Sequence, residues 1–213
     1  MLDADDVPRI TLVTSHCGYC RTIATGEWLI YPDTKDERHY LRFWPKEGED
    51  RRDAVLKNLP LSITSVEDVI FVGDEAGTLQ KLSSKGDLVK EVSLFSEPIF
   101  CLAATSSSVA CGSSKPPLVL LPSNDIEGDR RKLNYPPCSR GVGSVAFTTS
   151  GKTLVAGFWD GSIRVFSVQK LTILLYLDLH SQTISQMLWS EINGEQRLIV
   201  ACMDEKLSLW KLK

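Results

Sequence analysis

The chain has 213 residues, 43% hydrophobic and 24% charged, with a formal net charge of −3. That balance suits a folded globular protein, and its slight acidity gives no electrostatic reason to expect a nucleic acid or an anionic membrane as partner. No apolar run approaches the ~18 residues of a membrane-spanning helix, since the longest apolar-rich stretch, LTILLYLDL, is interrupted by Asp178.

In chain order, the first elements are the least regular. MLDADDVPRI is acidic and lacks the apolar core of a signal peptide. ITLVT (10–14) reads as an inner strand, and TIATGEWLIYP (22–32) and RHYLRFW (38–44) as two more, linked by a charged turn from Asp33 to Glu37. EGEDRRDAVLKN (47–58) is the best helical candidate, but its charge run favours a solvated loop. Further on, PIFCLAA (98–104), GSVAFTT (143–149) and ISQMLWS (184–190) read as inner strands. DLVKEVSL (87–94), RKLNY (131–135) and LTILLYLDL (171–179) read as outer ones.

Between these strands a pattern repeats. LVAGFWDGSIRVF (154–166) and LIVACMDEKLSLW (198–210) align at an offset of 44 residues, with Asp160 on Asp204 and Phe166 on Trp210. Upstream copies place Gly73, Gly112, Gly157 and Ala201 at one position, and Leu79, Leu118, Ile163 and Leu207 at another. A third position holds Leu82, Leu121, Phe166 and Trp210. Short alternating strands at a period of about 40–45 residues are the sequence sign of a β-propeller, in which each blade buries its faces only by stacking on neighbours. The predicted fold is therefore all-β, a WD40-type β-propeller of about five blade units over 1–213: 8–58, 59–95, 96–140, 141–180 and 181–213. The last unit stops at its third strand. Strand d must then come from elsewhere, either by ITLVT closing a small ring or by the array staying open, and the second is expected because ITLVT already has an inner place.

Candidate sites divide into decoys and one network. Cys17-Gly18-Tyr19-Cys20 has the CxxC spacing of a redox or metal site, but β-branched residues and a strand follow it where a helix N-terminus should acidify the first thiol. Cys101, Cys111, Cys138 and Cys202 stand apart and supply no second ligand pair. Six scattered cysteines with no signal peptide fit free thiols in a reducing interior, so an intracellular protein, nuclear and/or cytoplasmic, is expected. The pairs Asp74-Glu75 and Asp204-Glu205 fall at repeated turns, and there is no Gly-rich phosphate loop or nucleophile elbow. No catalytic residue, cofactor, metal or small-molecule substrate is predicted. His180, Asp204 and Trp210 have the order and spacing of a structural network tying a loop to a turn, with Val200 where a strand-b hydroxyl would be. Trp159, in a turn between strands b and c, is the partner-binding candidate. The alternative is that its ring packs on the neighbouring blade.

Gly157-Phe158-Trp159-Asp160-Gly161-Ser162-Ile163-Arg164-Val165-Phe166, His180-Ser181, and the ending Asp204-Glu205-Lys206-Leu207-Ser208-Leu209-Trp210 carry a closer likeness. They resemble the guanine nucleotide-binding protein subunit beta-like protein 1 family, whose fungal relative is ASTRA-associated protein 1. VGDEAGTLQKLS, LFSEPIFCLA and HCGYCRTIATGEWLIYP resemble its earlier blades, though only 141–213 is specific. The resemblance implies a seven-bladed array, of which about five blades are here. It also implies a non-catalytic adaptor for protein partners: Tel2–Tti-type cochaperone and kinase-assembly components in the maturation of phosphatidylinositol-3-kinase-related kinases, or the chromatin-linked ASTRA complex. No G-protein γ partner follows from these residues. Two other readings stand beside it. One is the WD-repeat, non-catalytic subunit of a tRNA methyltransferase, which should present a basic face. The other, more remote, is a CxxC redox or metal protein.

Overall fold

The computed structural model describes residues 11–47 and 50–212, and every regular element among them is a β-strand. The strands form five antiparallel sheets taken in chain order. The first holds β1 (Ile23–Ala24), β2 (Trp28–Lys35), β3 (Arg38–Pro45) and β4 (Arg52–Leu56). The second holds β5 (Pro60–Val66), β6 (Val69–Asp74), β7 (Thr78–Ser83) and β8 (Leu88–Ser93). The third holds β9 (Cys101–Ala104), β10 (Ser108–Gly112), β11 (Leu118–Pro122) and β12 (Arg131–Leu133). The fourth holds β13 (Val142–Phe147), β14 (Thr153–Phe158), β15 (Ile163–Ser167) and β16 (Thr172–Leu177). The fifth has three strands, β17 (Ile184–Ile192), β18 (Glu195–Cys202) and β19 (Leu207–Trp210). The first strands of successive sheets pack on one another, so the sheets are blades arranged about a common axis. The architecture is a β-propeller.

Alternation decides how the blades stack. In β14, Leu154, Ala156 and Phe158 join a core with Leu118, Leu120 and Leu133 of the third blade. Val155 points the other way, and with Ile163 and Val165 it meets Ile184, Leu198 and Val200 of the fifth. Each middle blade thus buries both faces between two neighbours, the arrangement the period requires. The repeated small residue is explained at the same contact. A Cβ at Gly73 would collide with Ile99, and one at Gly157 with Ile184, the residues that lead into the next blade.

Three expectations fail in the first blade. Residues 11–14 form no strand (Ile10 lies outside the described residues), and the inner place belongs to β1. Thr14 and Ser15 are instead bound to Pro32 and Asp33, so this stretch spends its polar groups on the end of β2 rather than on a ladder. The charged run at 47–58 is not simply a loop, because it contains β4, whose Ala54 and Leu56 are buried against Ile30, Leu41 and Phe43. The turn before β3 is also shorter than the sequence suggests. Only Asp36 and Glu37 lie outside the ladder, both with positive φ, which is the geometry of a two-residue hairpin.

Candidate functional site

In each blade the loop arriving at the first strand and the turn between the second and third lie at the same end of the sheet. Their polar groups meet there, and each blade ties them together with different chemistry. In the second, Asn58 Nδ2 donates to Asp74 Oδ2 (2.8 Å), while Asp74 Oδ1 accepts from the backbone of Ala76 and Thr78. In the third, Ser113 Oγ donates to the carbonyl of Pro98 (2.8 Å). In the fourth, Arg164 is buried, donating to Ser162 Oγ (2.9 Å) and Ser139 Oγ (2.6 Å), and Ser162 Oγ donates to Asp160 (2.6 Å). The guanidinium also lies over the rings of Phe158 and Tyr176.

The fifth blade brings together His180, Asp204 and Trp210, with a fourth member that the sequence reading missed. His180 Nδ1 lies 3.1 and 3.2 Å from the two Asp204 oxygens, and its Nε2 lies 2.8 Å from Ser208 Oγ. Trp210 Nε1 donates to the same hydroxyl at 2.7 Å. An indole can only donate and a carboxylate can only accept, so with a neutral imidazole the order is Trp210 to Ser208, Ser208 to His180 Nε2, and His180 Nδ1–H to Asp204. The hydroxyl sits on strand c, directly across from Val200 on strand b. The network has moved its hydroxyl one strand outward. The signal was in the sequence, since Ser208 is the repeat equivalent of Arg164, and both reach from the third strand to the arriving loop.

Burial pushes the Asp204 carboxyl up, but Cys202, the Ser181 amide, His180 and the Lys206 amide outweigh it and hold it at about 2. Cys202, His180 and Asp204 offer three metal-type ligand atoms within 4.8 Å of one another. Those atoms already serve other bonds: the thiol donates to the carbonyl of Gln182 (3.1 Å), and burial pushes its pKa up, away from the thiolate that a metal binds. The arrangement is that of a clamp.

Cys17 is exposed and Cys20 buried, all six cysteines are free thiols, and burial pushes Cys20 up to about 12. That is opposite to the shift that activates a redox cysteine. Trp159 is half-buried. It packs on the neighbouring blade, with ring centroids 5.2 Å apart and planes at 74° to Phe100, and it covers Gly141. At the opposite end, between the fourth and fifth blades, lies a groove of about 680 Å³ lined by residues such as Thr153, Val165, Leu175, Trp189 and Gln196. No titratable side chain lines it among the described residues.

No protein-family model matches the chain. Among curated proteins it is similar to ASTRA-associated protein 1 of Schizosaccharomyces pombe, at 25% identity over 87% of this chain. That similarity supports a relation to the ASTRA-associated protein 1 family. The chain spans 56% of the relative's length. Among solved structures it is similar to two computationally designed propeller-like proteins. Ika8 has a TM-score of 0.73 and 13% identity, over 90% of this chain and 57% of that one. Ika4 has a TM-score of 0.63 and 15% identity, over 74% of this chain and 94% of that one. These two speak to the fold alone.

Proposed function

We propose that this protein is a non-catalytic scaffold for protein–protein interaction in an ASTRA-type complex, working with Tel2–Tti cochaperone components on the assembly of phosphatidylinositol-3-kinase-related kinases. The observation that carries the reading is the similarity to ASTRA-associated protein 1 along 87% of the chain, together with a fold that displays loops from successive blades on one end. The chemistry of the candidate residues agrees with it: the His180–Asp204 pair is consumed in a clamp, and the CxxC holds a buried thiol of raised pKa. The reading places the protein inside the cell, in the nucleus, the cytoplasm or both.

Affinity purification of the tagged protein followed by mass spectrometry tests this reading. Tel2–Tti components should be recovered, and should still be recovered from a Cys17→Ser/Cys20→Ser variant. Recovery of a tRNA methyltransferase in their absence overturns it.

A further inference from the structure

Tyr19, Phe100 and Trp159 come from three distant parts of the chain. They belong to the segment ahead of β1, the loop into β9 and the turn between β14 and β15, and they gather at the loop-bearing end of the propeller. The Tyr19 and Phe100 rings are 6.1 Å apart with planes at 78°, and Phe100 and Trp159 are 5.2 Å apart at 74°. Two rings therefore stand nearly upright against a third. Trp159 is held from beneath, because three of its ring atoms lie 2.7 Å from where a Cβ of Gly141 would be. Tyr19 is 76% exposed. It is carried on a segment anchored at both ends, by Ser15 to Asp33 and by Arg21 to the carbonyl of Ser185 across the axis.

Elsewhere five aromatic rings lie under the protein's own arginines. Arg42 lies over Tyr40, Arg51 over Trp44, Arg52 over Trp28, and Arg164 over Phe158 and Tyr176. Among the described residues no arginine or lysine takes that place over Tyr19, Phe100 or Trp159. Two acids lie close in sequence: exposed Asp160, bonded to Ser162, follows Trp159, and Glu97, ion-paired with Lys115, lies three residues before Phe100. Perpendicular rings that carry no internal cation, one of them on the exposed Tyr19, favour a cation from outside. They favour one whose charge is spread over methyl groups, because a bare ammonium must shed tightly held water to reach a ring face.

We propose that the Tyr19–Phe100–Trp159 cluster binds a quaternary alkylammonium group, the head of a trimethylated lysine presented on an extended partner segment. This goes beyond the scaffold role and can fail without it, because the binding can be tested with the isolated chain and a synthetic ligand.

The experiment is a calorimetric titration with a short glycine-flanked peptide carrying trimethyl-lysine. Two matched controls carry unmodified lysine and the neutral neohexyl isostere, in which carbon replaces the charged nitrogen. Saturable binding of the trimethyl peptide is expected, with each control weaker by roughly tenfold or more. Tyr19→Ala and Trp159→Leu should each weaken it by about tenfold, whereas Tyr40→Ala, in a pair already served by Arg42, should leave it unchanged. Tyr19 is exposed, so its truncation keeps the fold, which circular dichroism checks even if Trp159→Leu disturbs its turn. The proposal is overturned by any of three results: no saturable binding to the folded protein, equal binding of the neutral isostere, or full affinity in Tyr19→Ala.

Discussion

The fourth and fifth blades carry the same side-chain pattern and meet different surroundings. On the faces that look back toward the preceding blade the two agree, with Leu154 and Leu198, and Ala156 and Val200, all buried. On the opposite faces they diverge. Ile163 and Val165 are 1% and 5% exposed, while their repeat equivalents Leu207 and Leu209 are 77% and 55% exposed. The residues are equally apolar in both blades, so burial here is decided by the neighbour and not by the sequence of the blade itself. The repeated small position follows the same rule. Gly157 is forced by Ile184 of the next blade, whereas Ala201 keeps its Cβ where no sixth sheet stands among the described residues.

The largest expected effect tests that difference directly. Ile163→Ala opens a cavity between two blades and should cost about 2–5 kcal/mol in denaturant unfolding. Leu207→Ala removes a side chain that touches little and should change stability by no more than about 0.5 kcal/mol. A comparable loss in both variants would mean that the outer face of the fifth blade is covered in solution, by a second copy or by another partner.

What the sequence disclosed, and what it hid, follows from the same geometry. Most strands of blades two to five were legible because period-two alternation and a small residue at the end of strand b are demanded by stacking, and they recur at fixed spacing; β5 was not picked out. β4 was not legible either, because only Ala54 and Leu56 face inward in a short strand that follows a charged run and leaves Val55 exposed. Nor was the place of residues 11–14: their β-branched composition suits a strand, yet Thr14 and Ser15 are held by Asp33. In the site, His180, Asp204 and Trp210 could be picked out by order, but Ser208 could not while the hydroxyl was sought at Val200. Arg164, given no role from sequence, is a buried tie between a loop and a strand. The Tyr19–Phe100–Trp159 gathering leaves no trace in local pattern, because its members are brought together only by the circular path of the chain.

The second effect sharpens the comparison at the clamps. His180→Ala removes the link between Asp204 and Ser208, and strips Trp210 of its polarised acceptor. It should cost about 1–3 kcal/mol, the range for leaving buried polar groups without partners. The loss should be confined to the fifth blade, so amide exchange should quicken in β17–β19 and remain slow in β14 and β15, where Arg164 holds an independent clamp. Uniform loss of protection across both blades would show that the clamps act as one cooperative unit.

The smallest effect is a titration. Asp204 is held at about 2 in the folded protein against 3.8 for the unperturbed group, so the unfolded chain binds the proton more readily between those values. The stability it contributes is therefore complete above pH 3.8 and is lost as pH falls through about 2. Following the Asp204 carboxyl carbon by NMR from about pH 5 downward should give a midpoint near 2 in the parent protein. In His180→Ala the midpoint should move upward, because one of the bonds holding the carboxylate is gone, while those from Cys202 and the Ser181 and Lys206 amides remain and keep it below 3.8. A parent midpoint at 3.8 would mean that the arriving loop does not close on the turn, and that the fifth blade lacks at its open edge the clamp that Arg164 supplies to the fourth.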